Sequence, residues 1–190
     1  MDTLFPITPK FPPGFIYIPD FITKEEEEYL LDIIKGIPLH RMKFQGFEAN
    51  RLVASFGYDY HFEQRTLTAG KAIPEEFLPI VEQVARQVAI PSADIAELLV
   101  TAYPLGSVIN WHRDAPPFET IVGLSLLSDC TFRLRPHDKA KQNRSAILSF
   151  PVKRRSLYIM QGASREEWQH SISPVKQQRY SITFRNIKSS

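Results

Sequence analysis

Five histidines punctuate the chain, at positions 40, 61, 112, 137 and 170. Two of them keep company that suggests chemistry. His112-Arg113-Asp114 follows a β-type run and a Pro/Gly turn, and His170 comes much later, in a second β-rich stretch. In extended backbone residues i and i+2 project to the same face, so His112 and Asp114 can grip one ion together. A further histidine from a neighbouring strand completes a facial set of two imidazoles and one carboxylate. That set leaves coordination positions open and suits non-haem Fe(II) doing oxygen chemistry. Taken alone, His-x-Asp fits an ordinary surface pair equally well.

A second signal lies near the end of the chain, in Arg179-Tyr-Ser-Ile-Thr-Phe-Arg185. Positions 179, 181, 183 and 185 share one face of a strand, while Tyr180, Ile182 and Phe184 take the opposite, apolar one. Two arginines on one face of such a strand call for an anionic partner, because an unpaired buried charge is costly. At about 3.3 Å per residue their Cα atoms stand roughly 20 Å apart. Two arms reaching inward by roughly 6–7 Å each leave a gap about the length of a five-carbon diacid, and arginine forks suit carboxylates. The alternative is two surface arginines flanking a core strand.

The elements that must carry these residues are legible in outline. Residues 1–20 are Pro-rich and apolar and read as an extended arm laid over the domain, which itself occupies 21–190. A first helix is capped by Thr23, completed as a capping box by Glu26, given an apolar face by Tyr29, Leu30, Ile33 and Ile34, and ended by Gly36. Residues 40–72 alternate polar and aromatic, as a hairpin followed by a loop. A second helix starts near Pro79 and carries Ile80, Val81, Val84, Ala85 and Val88. Beyond Pro91 short β-type runs follow one another (ELLVTAY, TIVGLSLL, TFRLRP, SAILSFPV, SLYIM, RYSITFR) with no helical period between them. This is the pattern of an antiparallel sandwich or barrel. The expected fold class is mainly β with supporting α: N-terminal helices, then a jelly roll over roughly 96–187.

Composition limits the alternatives. With 190 residues, 43% apolar and 23% charged, the chain suffices for one domain with a sizeable core. The 23 Lys and Arg against 21 Asp and Glu give +2, so there is no overall polycationic footprint. The single cysteine, Cys130, excludes an intrachain disulfide and a Cys-based zinc site. The acidic, proline-broken start is unlike a signal peptide, and no stretch approaches the roughly 20 apolar residues of a membrane span. The expectation is a soluble, intracellular, cytoplasmic monomer.

His112-x-Asp114, His170, Arg179-x5-Arg185 and the phrase RYSITFR together resemble the AlkB family of Fe(II)/2-oxoglutarate dioxygenases, over roughly residues 40–186. The resemblance implies a double-stranded β-helix with an N-terminal lid over roughly 40–72. It implies Fe(II) held by His112, Asp114 and His170, with 2-oxoglutarate and O2 as co-substrates and no catalytic side chain beyond the metal ligands. Arg179 and Tyr103 would meet the distal carboxylate of 2-oxoglutarate, Arg185 would sit near the chelating end, and Thr101 and Ser181 would add hydroxyls. Gly57-Tyr58-Asp59-Tyr60 resembles the family's stretch whose tyrosines grip the substrate strand. The implied reaction is oxidative removal of alkyl groups from single-stranded or flipped DNA or RNA bases, releasing formaldehyde, succinate and CO2.

Three positions depart from the repair members of that family. Thr101 stands for the usual Asn, Pro116 for a carboxylate that reads the base, and Arg51 for a base-stacking aromatic, a part that Phe44 or Phe47 would then take. The segments around DAPPFE and RRSLYIMQGASREEWQHSI resemble the branch that hydroxylates a modified wobble uridine in tRNA. A tRNA-modifying hydroxylase, a protein hydroxylase and a non-catalytic nucleic-acid binder are the competing readings. For a polyanionic partner, Arg133 and Arg135 share one strand face and are the stronger candidates, followed by Lys139, Lys141 and Arg144 and by the run Lys153-Arg154-Arg155.

Overall fold

The structure, a computed structural model, describes residues 10–44, 47–61 and 63–188. Strand β1 (Phe15–Ile18) precedes helix α1 (Lys24–Lys35), after which come β2 (His40–Phe44), β3 (Phe47–His61) and β4 (Thr66–Ala69). Helix α2 (Leu78–Gln87) leads into β5 (Ile95–Tyr103), β6 (Ile109–His112), β7 (Phe118–Leu126), β8 (Cys130–Pro136) and β9 (Leu148–Val152). The chain ends with β10 (Leu157–Met160), the short helix α3 (Ala163–Glu166), β11 (Trp168–Ile172) and β12 (Arg179–Ile187).

Among the described residues the strands form two antiparallel sheets. The major one runs β1-β10-β7-β12-β5-β3-β2, with β4 added to β3, and the minor one runs β6-β11-β8-β9. Two apolar clusters follow from the alternation of side chains along the strands. One lies between the helices and the back of the major sheet, where Leu30, Ile34, Val84 and Phe77 meet Leu98, Val100, Ile182 and Phe184. The other fills the space between the sheets and is rich in rings, with Phe15, Phe132, Phe150 and Tyr158 packed at centroid distances of 4.7 to 6.2 Å. The expected mainly β architecture with supporting helices is what the chain adopts.

Local signals explain most elements. Thr23 Oγ accepts from the Glu26 amide at 3.1 Å and Glu26 returns the bond to the Thr23 amide at 2.7 Å, a complete capping box. Pro79 stands in the first turn of α2, where its missing N–H costs nothing.

Three expectations need correction. Tyr29 is half exposed, and the buried side of α1 is Glu27, Leu30 and Ile34. Glu27 goes inside because its carboxylate accepts from the Leu127 amide at 2.8 Å and from Arg154 at 2.6 Å. The N-terminal arm, described from residue 10, runs extended and pairs β1 with β10 at the sheet edge. Within residues 40–72 β2 and β3 pair as an antiparallel hairpin, but the segment after it is a further strand, β4, on β3 rather than a loop. A helical turn, α3, intervenes between β10 and β11.

Candidate active site

The central strand β12 divides the molecule. Its even positions enter the helix-side core, and its odd positions face the space between the sheets. Register sets the neighbours: Arg179 lies across from Tyr103, Ser181 from Thr101 and Ser125, Thr183 from Gly123, and Arg185 from Glu97. Between the two arginines the floor is therefore made of hydroxyl-bearing residues and Gly123, together with Leu99, which also lies across from Thr183. Gly123 is required there, because a Cβ would fall 2.1 Å from Tyr158 Cζ; the phenol of Tyr158 lies across it. Tyr103 and Ser181 join hydroxyls at 3.2 Å.

Across this space stand the histidines. His112 ends β6, Asp114 lies two residues beyond it in the loop before β7, and His170 sits in β11 directly opposite His112. Their ligating atoms all fall within 4.8 Å of one another. The His112 and His170 rings are 4.2 Å apart, and His170 stacks parallel on Phe132 at 5.5 Å. His112 Nδ1 donates to the Asn110 carbonyl at 2.8 Å, which leaves Nε2 as its free lone pair. His170 Nε2 is 3.5 Å from Asp114 Oδ2.

Electrostatics tune this group for a cation. Burial alone would raise the Asp114 carboxyl. The Arg185 guanidinium, and after it the two histidines, instead hold it well below the usual carboxylate range. Burial, helped by His112 and opposed by Asp114, pushes His170 down to about 3, so its imidazole is neutral at physiological pH. Asp114 Oδ2 is buried with no hydrogen-bond partner. A buried orphan carboxylate oxygen beside two imidazoles matches the donor set for Fe(II).

The two arginines have different fates. Arg185 donates to Asp114 Oδ1 from Nε at 3.0 Å and from Nη2 at 2.5 Å, and it also donates to Glu97 Oε2. Burial works against its charge, and the two carboxylates more than offset that. It is saturated by protein carboxylates and orients a candidate metal ligand. Arg179 is only 1% exposed, donates from Nε to Ser125 Oγ at 3.0 Å and stacks on Tyr103 at 4.8 Å. Its Nη1 has no partner. Among the described residues no carboxylate pairs with it, so this guanidinium suits the carboxylate of a bound acid.

Of the remaining expected residues, Thr101 and Ser181 line the floor. Tyr58 and Tyr60 lie on the β3–β4 hairpin, beyond a bend at Gly57 (φ +89°) where β3 leaves β5 and pairs with β4. Tyr60 packs with Leu67 against the cluster that includes Phe118, and Tyr58 is 40% exposed. Arg51 lies half-buried on β3, and the side chains of Phe44 and Phe47 are outside those described. Pro116 is exposed and offers no side-chain donor or acceptor.

Arg133 and Arg135 are not part of this site. They pair across from Ser171 and Gln169, the neighbours of His170, so their side chains leave the opposite face of the minor sheet. There they enclose the Trp111 ring at 4.9 and 4.4 Å and donate to Ser171 Oγ and Gln169 Oε1. The run Lys153-Arg154-Arg155 pairs in turn with Asp129, Glu27 and Asp20.

Sequence reasoning missed Glu97, Tyr158 and Arg165. Arg165, 4% exposed, donates from Nη2 to the carbonyls of Asp114, Ala115 and Phe118 at 3.3, 2.7 and 3.0 Å, tying the loop after the metal ligand to the helix before His170. Glu97 shares the alternation of Thr101 and Tyr103, a signal that could have found it.

Comparison with known proteins agrees with this geometry. Residues 14–185 match the 2OG-Fe(II) oxygenase superfamily. The chain is 30% identical over 172 residues to mouse tRNA (carboxymethyluridine(34)-5-O)-methyltransferase ALKBH8, covering 87% of this chain and 25% of that protein. It is 27% identical over 191 residues to the zebrafish (Danio rerio) probable RNA/DNA demethylase ALKBH6, covering 96% and 79%. It thus spans about a quarter of the ALKBH8 proteins of mouse and Xenopus tropicalis. The solved structure of OsALKBH1 shares the fold at a TM-score of 0.71 and 17% identity, covering 93% of this chain and 98% of that one. No helix among the described residues is long and apolar enough to cross a membrane. The chain belongs to the 2OG-Fe(II) oxygenase superfamily.

Proposed function

We propose that this dioxygenase acts on bases of single-stranded or extruded nucleic acid and removes N-linked alkyl groups from RNA or DNA. The observation that carries the reading is the match, over 79% of its length, to a relative named as a probable RNA/DNA demethylase. In it His112, Asp114 and His170 hold the metal, and Arg185 fixes the orientation of Asp114. Arg179 and Tyr103 hold the distal carboxylate of 2-oxoglutarate over the floor of Thr101, Ser181 and Ser125. Bound there with 2-oxoglutarate and O2, Fe(II) supplies oxidative decarboxylation to succinate and CO2 coupled to hydroxylation of a C–H bond. A hydroxylated N-methyl group then leaves as formaldehyde. The β3–β4 hairpin with Tyr58 and Tyr60 acts as the lid that grips the substrate strand. A base inside a duplex could not reach the metal, so the target is unpaired or flipped.

A second reading, hydroxylation of a tRNA base, is favoured by Pro116, which supplies no polar group to read an amino substituent, and by the similarity to ALKBH8. One experiment separates the two. The protein is given Fe(II), ascorbate and 2-oxoglutarate with methylated single-stranded DNA, RNA and bulk tRNA, and base masses and succinate are followed together, with Asp114→Ala as control. Loss of methyl mass, absent in the variant, is the expected result. A gain of one oxygen on tRNA selects the second reading. Succinate with every base untouched refutes both.

A further inference from the structure

Beside Asp114 the structure has a cavity of about 300 Å³. Asp114 forms part of its wall, and Arg113, Pro116, His137, Arg165, Gln169 and Lys188 form much of the rest. Its cations are organised by one short segment. Arg113 Nη1 donates to the Glu166 carbonyl at 2.6 Å, Lys188 Nζ pairs with Glu166 Oε1 at 2.7 Å, and the His137 amide donates to the Glu167 carbonyl at 2.7 Å. Arg113 Nη1 meets a neutral carbonyl, with the Glu166 carboxylate nearby. Asp114 shares Arg185 with Glu97, and Glu166, itself part of the wall, pairs with Lys188 and lies near Arg113 and Arg165, so two wall carboxylates face the three wall cations Arg113, Arg165 and Lys188. The cavity therefore carries an excess of positive charge at its rim, although the chain as a whole is nearly neutral at +2.

We infer that this cavity is the phosphate subsite of the substrate strand: Arg113 and Lys188, with His137 beside them, seat a backbone phosphate flanking the nucleotide whose base enters toward His112, Asp114 and His170. The inference rests on the nucleic-acid reading above and names the part of the molecule that would recognise the backbone. The chemistry fits. Arg113 and Lys188 are exposed donors on short tethers, and the Lys188 pair with Glu166 is half solvated at 42% and 49% side-chain exposure. Such a pair is worth little, so a phosphate displaces it at small cost. Phosphate contacts fix register without reading sequence, which suits a site whose chemistry is directed at one base. The cavity wall is rigid where it must be, because Arg165 pins the 114–118 backbone from inside.

The test uses the whole protein loaded with Mn(II) and 2-oxoglutarate, and fluorescein-labelled single-stranded RNA and DNA 12-mers read by anisotropy over a KCl series. Arg113→Gln with Lys188→Gln is expected to weaken binding about tenfold at low salt. It should also flatten the slope of log K against log salt by about 0.7 for each lost phosphate contact. Glu166→Gln, which releases Lys188, is expected to tighten binding severalfold, a gain that misfolding cannot mimic. Lys24→Gln, in the exposed pair with Glu28 on α1, should change neither quantity. Wild-type binding with the double variant unchanged in affinity and slope overturns the subsite alone, and so does an equal loss in Lys24→Gln. Failure of the wild type to bind either oligomer overturns the nucleic-acid reading and the subsite with it.

Discussion

Arg179→Met should make the ligand-free enzyme more stable while removing its response to 2-oxoglutarate. Arg179 is 1% exposed, its Nη1 has no partner, and the groups around it are uncharged: Ser125 Oγ at 3.0 Å, Tyr103 with its ring at 4.8 Å, and Tyr158 and Cys130. Replacing a buried ion pair by apolar side chains of similar volume is stabilising by about 1–4 kcal/mol, and among the described residues Arg179 lacks even the carboxylate of such a pair. The lost hydrogen bond and cation–π contact pull the expectation to the low end, about 1 kcal/mol. For a chain of this length that is a rise in Tm of about 2–4 °C.

The ligand arm runs the other way. Two charge-assisted hydrogen bonds to a carboxylate are worth about 3 kcal/mol together, so the variant should bind 2-oxoglutarate about 100-fold more weakly. At a concentration 100 times the wild-type Kd, the wild type gains about 2.7 kcal/mol by mass action, about 5–11 °C in Tm. The variant at that concentration gains only about 0.4 kcal/mol, roughly 1 °C. Thermal denaturation with Mn(II), with and without 2-oxoglutarate, reads both arms. A ligand-free variant less stable than wild type, or one that keeps the full ligand-induced shift, would refute the assignment of Arg179 as an anion receptor held in reserve.

Three further outcomes follow from single contacts. Glu97→Gln breaks the buried pair with Arg185 and should cost about 3 kcal/mol in urea unfolding, with Mn(II) affinity falling as Asp114 loses its brace; unchanged values on both would sink the positioning role of Arg185. Gly57→Ala sets a Cβ 2.1 Å from the Ala96 carbonyl oxygen at φ +89°, so stability should drop by about 2–3 kcal/mol, and a drop under about 0.5 would show that the bend before Tyr58 is soft. Arg135→Gln should leave turnover and oligonucleotide affinity within twofold and lower stability by about 0.5–2 kcal/mol, since its stacking on Trp111 lies on the outer face of the minor sheet. A selective loss of substrate affinity would restore it to the binding surface.

The parts of the site that the sequence made legible are those fixed by local spacing. His112 and Asp114 are two residues apart, and strand parity alone puts Arg179, Ser181 and Arg185 on one face. What depends on register was not legible. Glu97 reaches Arg185 only because β5 pairs with β12 at that offset, and Arg165 reaches Asp114 only because α3 packs under the 114–118 loop. Parity was read correctly for Arg133 and Arg135, but parity does not say which face is inside; the pairing of Leu134 with His170 decides it against them. The partners of the Lys153-Arg154-Arg155 run were not legible either, since its carboxylates come from positions 20, 27 and 129. In α1 the helical period itself puts Glu27 on the face of Leu30 and Ile34, and only its charge argued against burial, which the Leu127 amide and Arg154 offset.

The contrast between Arg179 and Arg185 also gives the cavity its polarity. Both sit on the odd face of one strand, both are buried, and an isolated guanidinium in such a place is unfavourable. At position 185 the fold resolves this by bringing Glu97 from β5 and Asp114 from the loop after β6, so the charge is used internally to hold a metal ligand. At position 179 it brings Ser125, Tyr103, Tyr158 and Cys130, none of them a carboxylate. The fold therefore leaves one charge open at the end remote from His112 and His170, and closes the other at the near end. On the function proposed above, an acid with two carboxylates would be oriented by this contrast, its distal carboxylate drawn to Arg179 and its other end left to approach His112, Asp114 and His170. Exchanging the two environments, with a carboxylate beside Arg179 and none beside Arg185, would abolish that direction while keeping every charge on the strand.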